Sequence, residues 1–298
     1  MSNLFVIIVT YKGKQWYDRC FTSLRESTIP VQTVVVDNAS NDGTVEYIRE
    51  NYPEIHLIES KENLGFGRAN NLGMRYALDN GCGYVFLLNQ DAWVEKDTFE
   101  ILVRCHQKHP SFGVISPMHM MASGDHTNFL MYDDKHNGEF LSDLYCGTLK
   151  EIYHISYVNA AAWFLPRFTL DKIGGFCPLI FHYGEDDDYL NRLHYHKIDV
   201  GLCPKTRIYH DTRNRLGESE RFFQKANAEK IDEYLNITKD INFSKLCRFY
   251  LRKAFLCLLK GNKRLSDDYL KQYKFVRKHR KEIESCRASH KVLQSNWL

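Results

Sequence analysis

Two groups of acids in this chain are placed to do chemistry on a charged substrate. The first is Asp91, which closes Asn89-Gln90-Asp91 directly after the apolar run Tyr84-Val85-Phe86-Leu87-Leu88. Such a run reads as a buried strand, which puts Asp91 at its carboxyl edge, where ligands of open α/β sheets bind. A carboxylate there suits a hard divalent cation held against a phosphate. The second group is Glu185-Asp186-Asp187-Asp188. Adjacent acids raise one another's proton affinity, and a carboxylate so tuned is fit to take a proton from a hydroxyl. Together the groups point to metal-assisted chemistry on a phosphorylated substrate. Each also has a plainer explanation, because Asp91 in a loop can cap a following helix and four acids at a helix start favour the macrodipole without catalysis.

The elements that must position these acids follow from hydrophobic period. The first hundred residues alternate short β-branched runs, at 5–9, 33–37, 55–59 and 84–88, with amphipathic stretches near 16–26, 44–51 and 67–79. That is the pattern of βαβ units, so the fold class is α/β with a mostly parallel central sheet flanked by helices. Thr10 and Tyr11 end the first strand, Asp37 ends the second, and residues 63–71 lead into the third helix, so all reach the edge that Asp91 occupies. Asp37 there suits a ribose hydroxyl or a base N–H, although Asp-Asn-Ala-Ser-Asn-Asp-Gly also makes a turn and helix cap with no ligand. Gly65-Phe66-Gly67 lacks the third glycine of a dinucleotide fingerprint, because Asn70 stands in its place, and it follows the third strand rather than the first. Hydride transfer is thereby disfavoured.

From 111 to 210 the pattern is mixed, with an apolar run at 155–165, a helix around 187–196 and a short strand at 200–203. A second substrate would be met there, with Asn159, residues 160–163 including Trp163, Phe181, His182 and Tyr183 shaping its pocket. The net charge of +3 hides a division: residues 1–215 carry 21 basic and 27 acidic side chains, and the remainder 19 against 10. These amount to −6 and +9. The chain therefore reads as an acidic α/β part, 1–215, followed by a basic helical extension, 216–298. In that extension Lys245, Arg248, Arg252, Lys253 and Lys260 interleave with apolar residues. Such a helix either packs on the catalytic domain or on a second copy in a homodimer, or lies on an anionic membrane surface. Nothing matches a nucleic-acid-binding module. Nine scattered cysteines without a C-x-x-C pair read as reduced thiols of a cytoplasmic protein, and no stretch reaches the roughly 20 apolar residues of a spanning helix.

The accumulated residues resemble glycosyltransferase family 2, the GT-A fold, and particularly its bacterial rhamnosyltransferase-like members, over roughly residues 4–215. The landmarks are Val6-Ile7-Ile8-Val9-Thr10-Tyr11, Val34-Val35-Val36-Asp37-Asn38-Ala39-Ser40, residues 63–71, Leu87-Leu88-Asn89-Gln90-Asp91, and Gly184-Glu185-Asp186 with Asp188. Five in the right order are far more specific than any one. The resemblance implies a catalytic domain at 1–215 with a nucleotide-sugar half at 1–110 and an acceptor half at 111–215, a nucleotide-sugar donor, inverting transfer to a saccharide or lipid-linked saccharide in cell-surface polysaccharide synthesis, and a divalent metal, Mg2+ or Mn2+. By position, Thr10, Tyr11 and Asp37 fall where the family contacts base and ribose, with Asn63, Gly67, Asn70, Asn89 and Gln90 nearby. Asp91 matches the metal-binding acid of the family's D-x-D motif, whose first acid is here Asn89, and His210 matches a late histidine that completes the metal or diphosphate site. Arg213 and Arg215 stand near enough in sequence to neutralise phosphate, or are solvated loop charges. Asp186 matches the general base, with Glu185 and Asp188 holding it and the acceptor. Two other classes stay open: a nucleotide-sugar-binding protein that has lost turnover, and a sugar nucleotidyltransferase, against which the loop after Tyr11 lacks the glycine-rich pattern with its arginine.

Overall fold

The computed structural model describes residues 3–128, 138–212 and 230–298. Arg213, Arg215 and the expected boundary at 215 lie outside the described residues. The chain opens with β1 (Leu4–Thr10), α1 (Tyr17–Arg25), β2 (Gln32–Asp37), α2 (Thr44–Asn51), β3 (His56–Glu59), α3 (Phe66–Asp79) and β4 (Tyr84–Leu88). It continues through β5 (Ala92–Val94), α4 (Thr98–Lys108), β6 (Phe112–Met121), α5 (Gly138–Cys146), β7 (Tyr153–His154) and β8 (Ala162–Pro166). Then follow α6 (Arg167–Ile173), α7 (Glu185–Tyr195), β9 (Asp199–His210), α8 (Ile231–Leu235), α9 (Phe243–Leu259) and α10 (Lys263–His290).

The strands form one sheet in the order β3-β2-β1-β4-β8-β6-β9-β5, with β7 paired to the first half of β9. The first four run parallel, as do β6 and β9, and β8 lies antiparallel between β4 and β6. This is the mixed α/β sheet of the GT-A fold. Side chains alternate across a strand, and here both faces are covered. Ile7, Val34, Leu87, Trp163 and Leu165 face one helical layer with Met74, Tyr189 and Leu193, while Ile8, Val35, Leu88, Ala162 and Phe164 face the other with Phe21 and Leu102. Burial on both faces is why β1, β2 and β4 read as unbroken apolar runs.

One apolar run takes a form the sequence left open, and one expected strand is longer than expected. The apolar run at 155–165 yields a strand only at β8, because the Ala160 N–H donates to the Asp186 carboxylate and the Ala161 N–H to the Asn159 side chain instead of to a ladder. The short strand expected at 200–203 is the first part of the long β9. Its ladder with β6 skips residues 204–206 between the Pro117–Cys203 and Met118–Arg207 pairs, since Pro204 has no N–H to give.

The extension is joined to the rest by a third apolar cluster, in which Cys177 and Ile180 meet Ile231, Leu235, Phe243, Val276 and Ile283. The C-terminus returns as well: Gln294 N donates to the Lys172 carbonyl at 2.8 Å and Gly175 N to that of Asn296 at 2.8 Å. Among the described residues no helix is long and apolar enough to cross a membrane.

Candidate active site

The parallel register brings the ends of β1, β2 and β4 to one edge. Thr10, fully buried, donates its hydroxyl to Asp37 Oδ1 at 3.1 Å, and the Ser40 N–H donates to Asp37 Oδ2 at 2.9 Å. Turn chemistry is therefore present at Asp37. Gln90 clamps the backbone beyond β1: its Oε1 accepts from Tyr11 N at 2.9 Å and its Nε2 donates to the Tyr11 carbonyl at 3.1 Å. It lies over Gly13, where a Cβ would sit 2.2 Å from Gln90 Oε1. Asn38, quoted in the sequence only as a landmark, ties the next loop down by donating to Asn63 Oδ1 at 2.9 Å and accepting from Leu64 N at 2.7 Å.

The glycines at the start of α3 serve close approach of chain to chain. Gly65, at φ +79°, would put a Cβ 2.0 Å from the Phe181 carbonyl oxygen, and Gly67 would put one 2.8 Å from Phe176 Cβ. Asn70 is buried and donates back to the Phe66 carbonyl at 3.0 Å.

Asp91 is followed by a strand, not a helix, so the helix-cap explanation falls. Antiparallel pairing of β5 with β9 sets Ala92 opposite His210. In consequence His210 Nε2 lies 3.1 Å from Asp91 Oδ1, Asp211 N donates to the Asp91 carbonyl at 2.9 Å, and Asn89 Nδ2 is 3.4 Å from His210 Nε2. Behind them His119, which sequence reasoning missed, is pushed down to about 3 by burial and by His210, so its imidazole is neutral. Among the described residues no group of three or more His, Cys, Asp or Glu gathers to hold a metal. Asp91 and His210, 3.1 Å apart, offer one carboxylate and one imidazole to a cation, and a carboxylate that completes its set with phosphate oxygens suits Mg2+.

The second acidic group forms the first turn of α7, so the macrodipole explanation holds beside any catalytic one. The chain enters that turn through Tyr183 at φ +66° and Gly184 at φ +96°. Half-buried Asp186 turns toward the sheet, where its Oδ2 accepts from Ala160 N at 3.1 Å. Burial first, then the charges of Glu185 and Asp187, push its carboxyl up to about 7. Glu185 is buried with His182 Nδ1 at 3.7 Å from its Oε1, and the rings of His182 and Tyr183 meet at 4.2 Å. Tyr157, also missed, stands beside the cluster, its hydroxyl held protonated by burial and then by the negative charge of Asp186.

The strap at 159–161 joins the two groups. Its Ala160 N–H holds Asp186, and its Ala161 carbonyl accepts from Asn89 N at 2.9 Å, two residues from Asp91. Two expected residues are not brought there. Asp188 points away from Asp186 and is buried against Arg192 Nε at 3.0 Å and His290 Nδ1 at 3.4 Å. Positions two apart on a helix stand about 200° apart, so adjacency in sequence misled and the i,i+4 pairing with Arg192 was the available signal. Trp163 is corrected: it is fully buried between Phe176 and Tyr189, because a central strand covered on both faces has no side left for an acceptor.

Residues 5–154 match the profile described as Glycosyl transferase family 2. The chain belongs to glycosyl transferase family 2. This glycosyltransferase is 24% identical over 246 residues to the low-salt glycan biosynthesis hexosyltransferase Agl10 of Haloferax volcanii, which covers 76% of this chain and 78% of that protein. It is 30% identical over 123 residues to the N-acetylglucosaminyl-diphospho-decaprenol L-rhamnosyltransferase of Mycobacterium tuberculosis, covering 38% of this chain and 40% of that one. Its fold is similar to S. aureus TarS 1–349 in complex with UDP-GlcNAc, with a TM-score of 0.60, 14% identity, and 94% and 92% of the two chains covered. It is similar too to GalNAc-T7 with UDP, GalNAc and Mn2+, with a TM-score of 0.59, 16% identity, and 96% and 58% covered.

Proposed function

We propose that this glycosyltransferase acts with inversion, moving a sugar from a nucleotide sugar to a hydroxyl of a saccharide or lipid-linked saccharide in cell-surface polysaccharide synthesis at the cytoplasmic face of a membrane. The observation that carries the reading is the strap at 159–161, which ties Asp186 and the Asn89–Asp91 turn to one short piece of chain. The acceptor oxygen attacks the anomeric carbon while its proton passes to Asp186 Oδ, and the bond from that carbon to the diphosphate breaks. A base with a value near 7 is matched to this work at neutral pH. Attack from the side opposite the leaving group inverts the anomeric centre.

Thr10, Tyr11, Asp37, Asn63, Gly67, Asn70, Asn89 and Gln90 belong to the donor side, some by contact and others by shaping the loops. Asp91 and His210 would hold Mg2+ or Mn2+, which when bound offsets charge on the departing diphosphate. Glu185 with His182, Tyr183, Asn159 and Tyr157 belongs to the acceptor side, and Asp188 anchors α7 behind it through Arg192, which holds the carbonyls of Ile173 and Gly175.

The test is release of nucleoside diphosphate over a panel of donors and acceptors, with donor binding measured by calorimetry. Asp186→Asn is expected to lower turnover by about 10²- to 10⁴-fold while donor binding is kept. Binding without turnover in the parent would favour the binding protein that the replaced acid at Asn89 makes thinkable, and undiminished turnover in the variant would remove Asp186 from its role.

A further inference from the structure

The hairpin of α9 and α10 carries a surface that the transfer reaction does not use. On α9 the residues Phe243, Leu246, Tyr250, Ala254 and Cys257 recur at helical spacing as the less exposed stripe, and Ser266 of α10 donates to the Ala254 carbonyl at 2.8 Å. Outside that stripe large apolar side chains face water. Phe255 is 61% and Leu259 68% exposed, and Phe249, Leu251, Leu258 and, across the turn, Leu265 are exposed too. Scattered exposed leucines mean little, but Leu251, Phe255, Leu258 and Leu259 fall at i, i+4, i+7 and i+8, one continuous strip ending at the hairpin turn. That turn is well formed, since the Asn262 side chain accepts from Leu265 N at 3.1 Å and caps α10.

The charge on the same segment is of one sign. Residues 243–266 contain seven lysines and arginines and no aspartate or glutamate. Arg252, Lys253, Lys260, Lys263 and Arg264 are all exposed on the same end of the hairpin, and Lys253 Nζ lies 5.6 Å over the Phe249 ring. A two-fold contact between copies through this face would set like charges against each other. A surface offering phosphate-level anions above an apolar layer satisfies both halves of the strip at once.

We propose that the tip of the α9–α10 hairpin docks on the anionic face of a lipid bilayer, with Phe255, Leu258 and Leu259 entering the interface and the flanking lysines and arginines at the level of the lipid phosphates. Docking there is interfacial, since no described helix can span. α10 has 28 residues and so is about 42 Å long, and its far end reaches α7 through His290 and Asp188. The docked hairpin therefore sets how far the acceptor side stands from the surface. The inference rests on the hairpin alone and needs no particular acceptor.

The experiment is flotation of the full chain with vesicles of phosphatidylcholine, alone or mixed with phosphatidylglycerol. The protein is expected to float with the anionic vesicles only, and less as salt rises. Arg252→Glu with Lys253→Glu and Lys260→Glu is expected to weaken binding about a hundredfold or more, from roughly 1 kcal/mol per cation. Phe255→Asp with Leu259→Asp is expected to abolish it. These side chains are exposed, so unchanged circular dichroism and unfolding midpoints will certify the fold. Asp186→Asn is expected to float like the parent, which separates this proposal from the catalytic reading. A full chain left at the bottom with anionic vesicles overturns the proposal, as does equal flotation of the Asp variants. So does a dimer in sedimentation that Phe255→Asp dissociates, because the strip would then belong to a second copy.

Discussion

The proposed donor and acceptor sides of the site are built in opposite ways. On the donor side the polar groups hold one another: Thr10 and Ser40 on Asp37, Gln90 on both backbone groups of Tyr11, and Asn38 on Asn63 and Leu64. On the acceptor side Asp186 is held by the Ala160 N–H and pressed by two acidic neighbours. The entry into α7 adds a non-glycine residue, Tyr183, at positive φ, a conformation that costs energy and clusters at functional sites. A preformed polar frame suits a leaving group whose charge must be met without rearrangement, whereas a crowded carboxylate suits a group whose work is to accept a proton. On the proposed reading, binding and proton transfer are thus divided between the strand ends and the first turn of α7, which meet at one sheet edge.

The largest expected effect breaks the acceptor side. In the parent kcat/KM should rise about tenfold per pH unit below about 7 and level off above it, since Asp186 must be ionised to act. Asp186→Asn should lose that limb along with its turnover, measured as nucleoside diphosphate release. A limb that persists at the same pH in the variant assigns the ionisation to another group. Next in size is the donor side: Asp91→Ala should cut turnover about 10²-fold and raise the Mn2+ or Mg2+ concentration for half-maximal rate, with chelation silencing the parent. Metal-independent turnover unaffected by Asp91→Ala would remove the cation from the comparison.

A third variant probes what holds the acceptor side from behind. Asp188 and Arg192 are both nearly inaccessible, and Arg192 also donates to the carbonyls of Ile173 and Gly175 at 2.9 Å each. Asp188→Ala leaves a buried guanidinium without its counter-charge and should cost about 3–5 kcal/mol in denaturant unfolding. A loss of turnover with the unfolding midpoint unchanged would instead give Asp188 the direct role that the acid run suggested.

What the sequence disclosed follows the same division. β1, β2 and β4 were legible because strands buried on both faces are written as continuous apolar runs, and their carboxyl ends located Thr10, Asp37 and Asp91 without further help. β6 was not legible, since Ser116, Pro117 and His119 interrupt it, and β5 has only three residues. The nearness of His210 to Asp91 depends on that short strand and its pairing with β9, and only the resemblance anticipated it. On the acceptor side the acids themselves were plain, but their directions were not. Helical period alone separates Asp186 from Asp188, while the packing of Asp232 against Gly184 and of His290 against Asp188 joins segments too far apart in sequence to leave a local signal.

The smallest expected effect is one of stability. The Asp186 carboxyl titrates at 3.8 in its ordinary state and at about 7 in the folded chain, so the folded chain binds its proton more tightly. Between those values the native state carries more protons than the unfolded one, and stability falls as pH rises through the window. The contribution is fully present below about pH 4 and gone above about 7. A shift of three units corresponds to an upper limit of about 4 kcal/mol, and part of it belongs to Glu185 and Asp187 rather than to Asp186. Asp186→Asn can still accept the Ala160 N–H but carries no charge to bury. In urea unfolding it should be more stable than the parent by about 1–3 kcal/mol at pH 8 and equal to it near pH 4. Equal midpoints at both pH values would mean that the ionised carboxylate sits there without strain, and the contrast between a satisfied donor side and a stressed acceptor side would not stand.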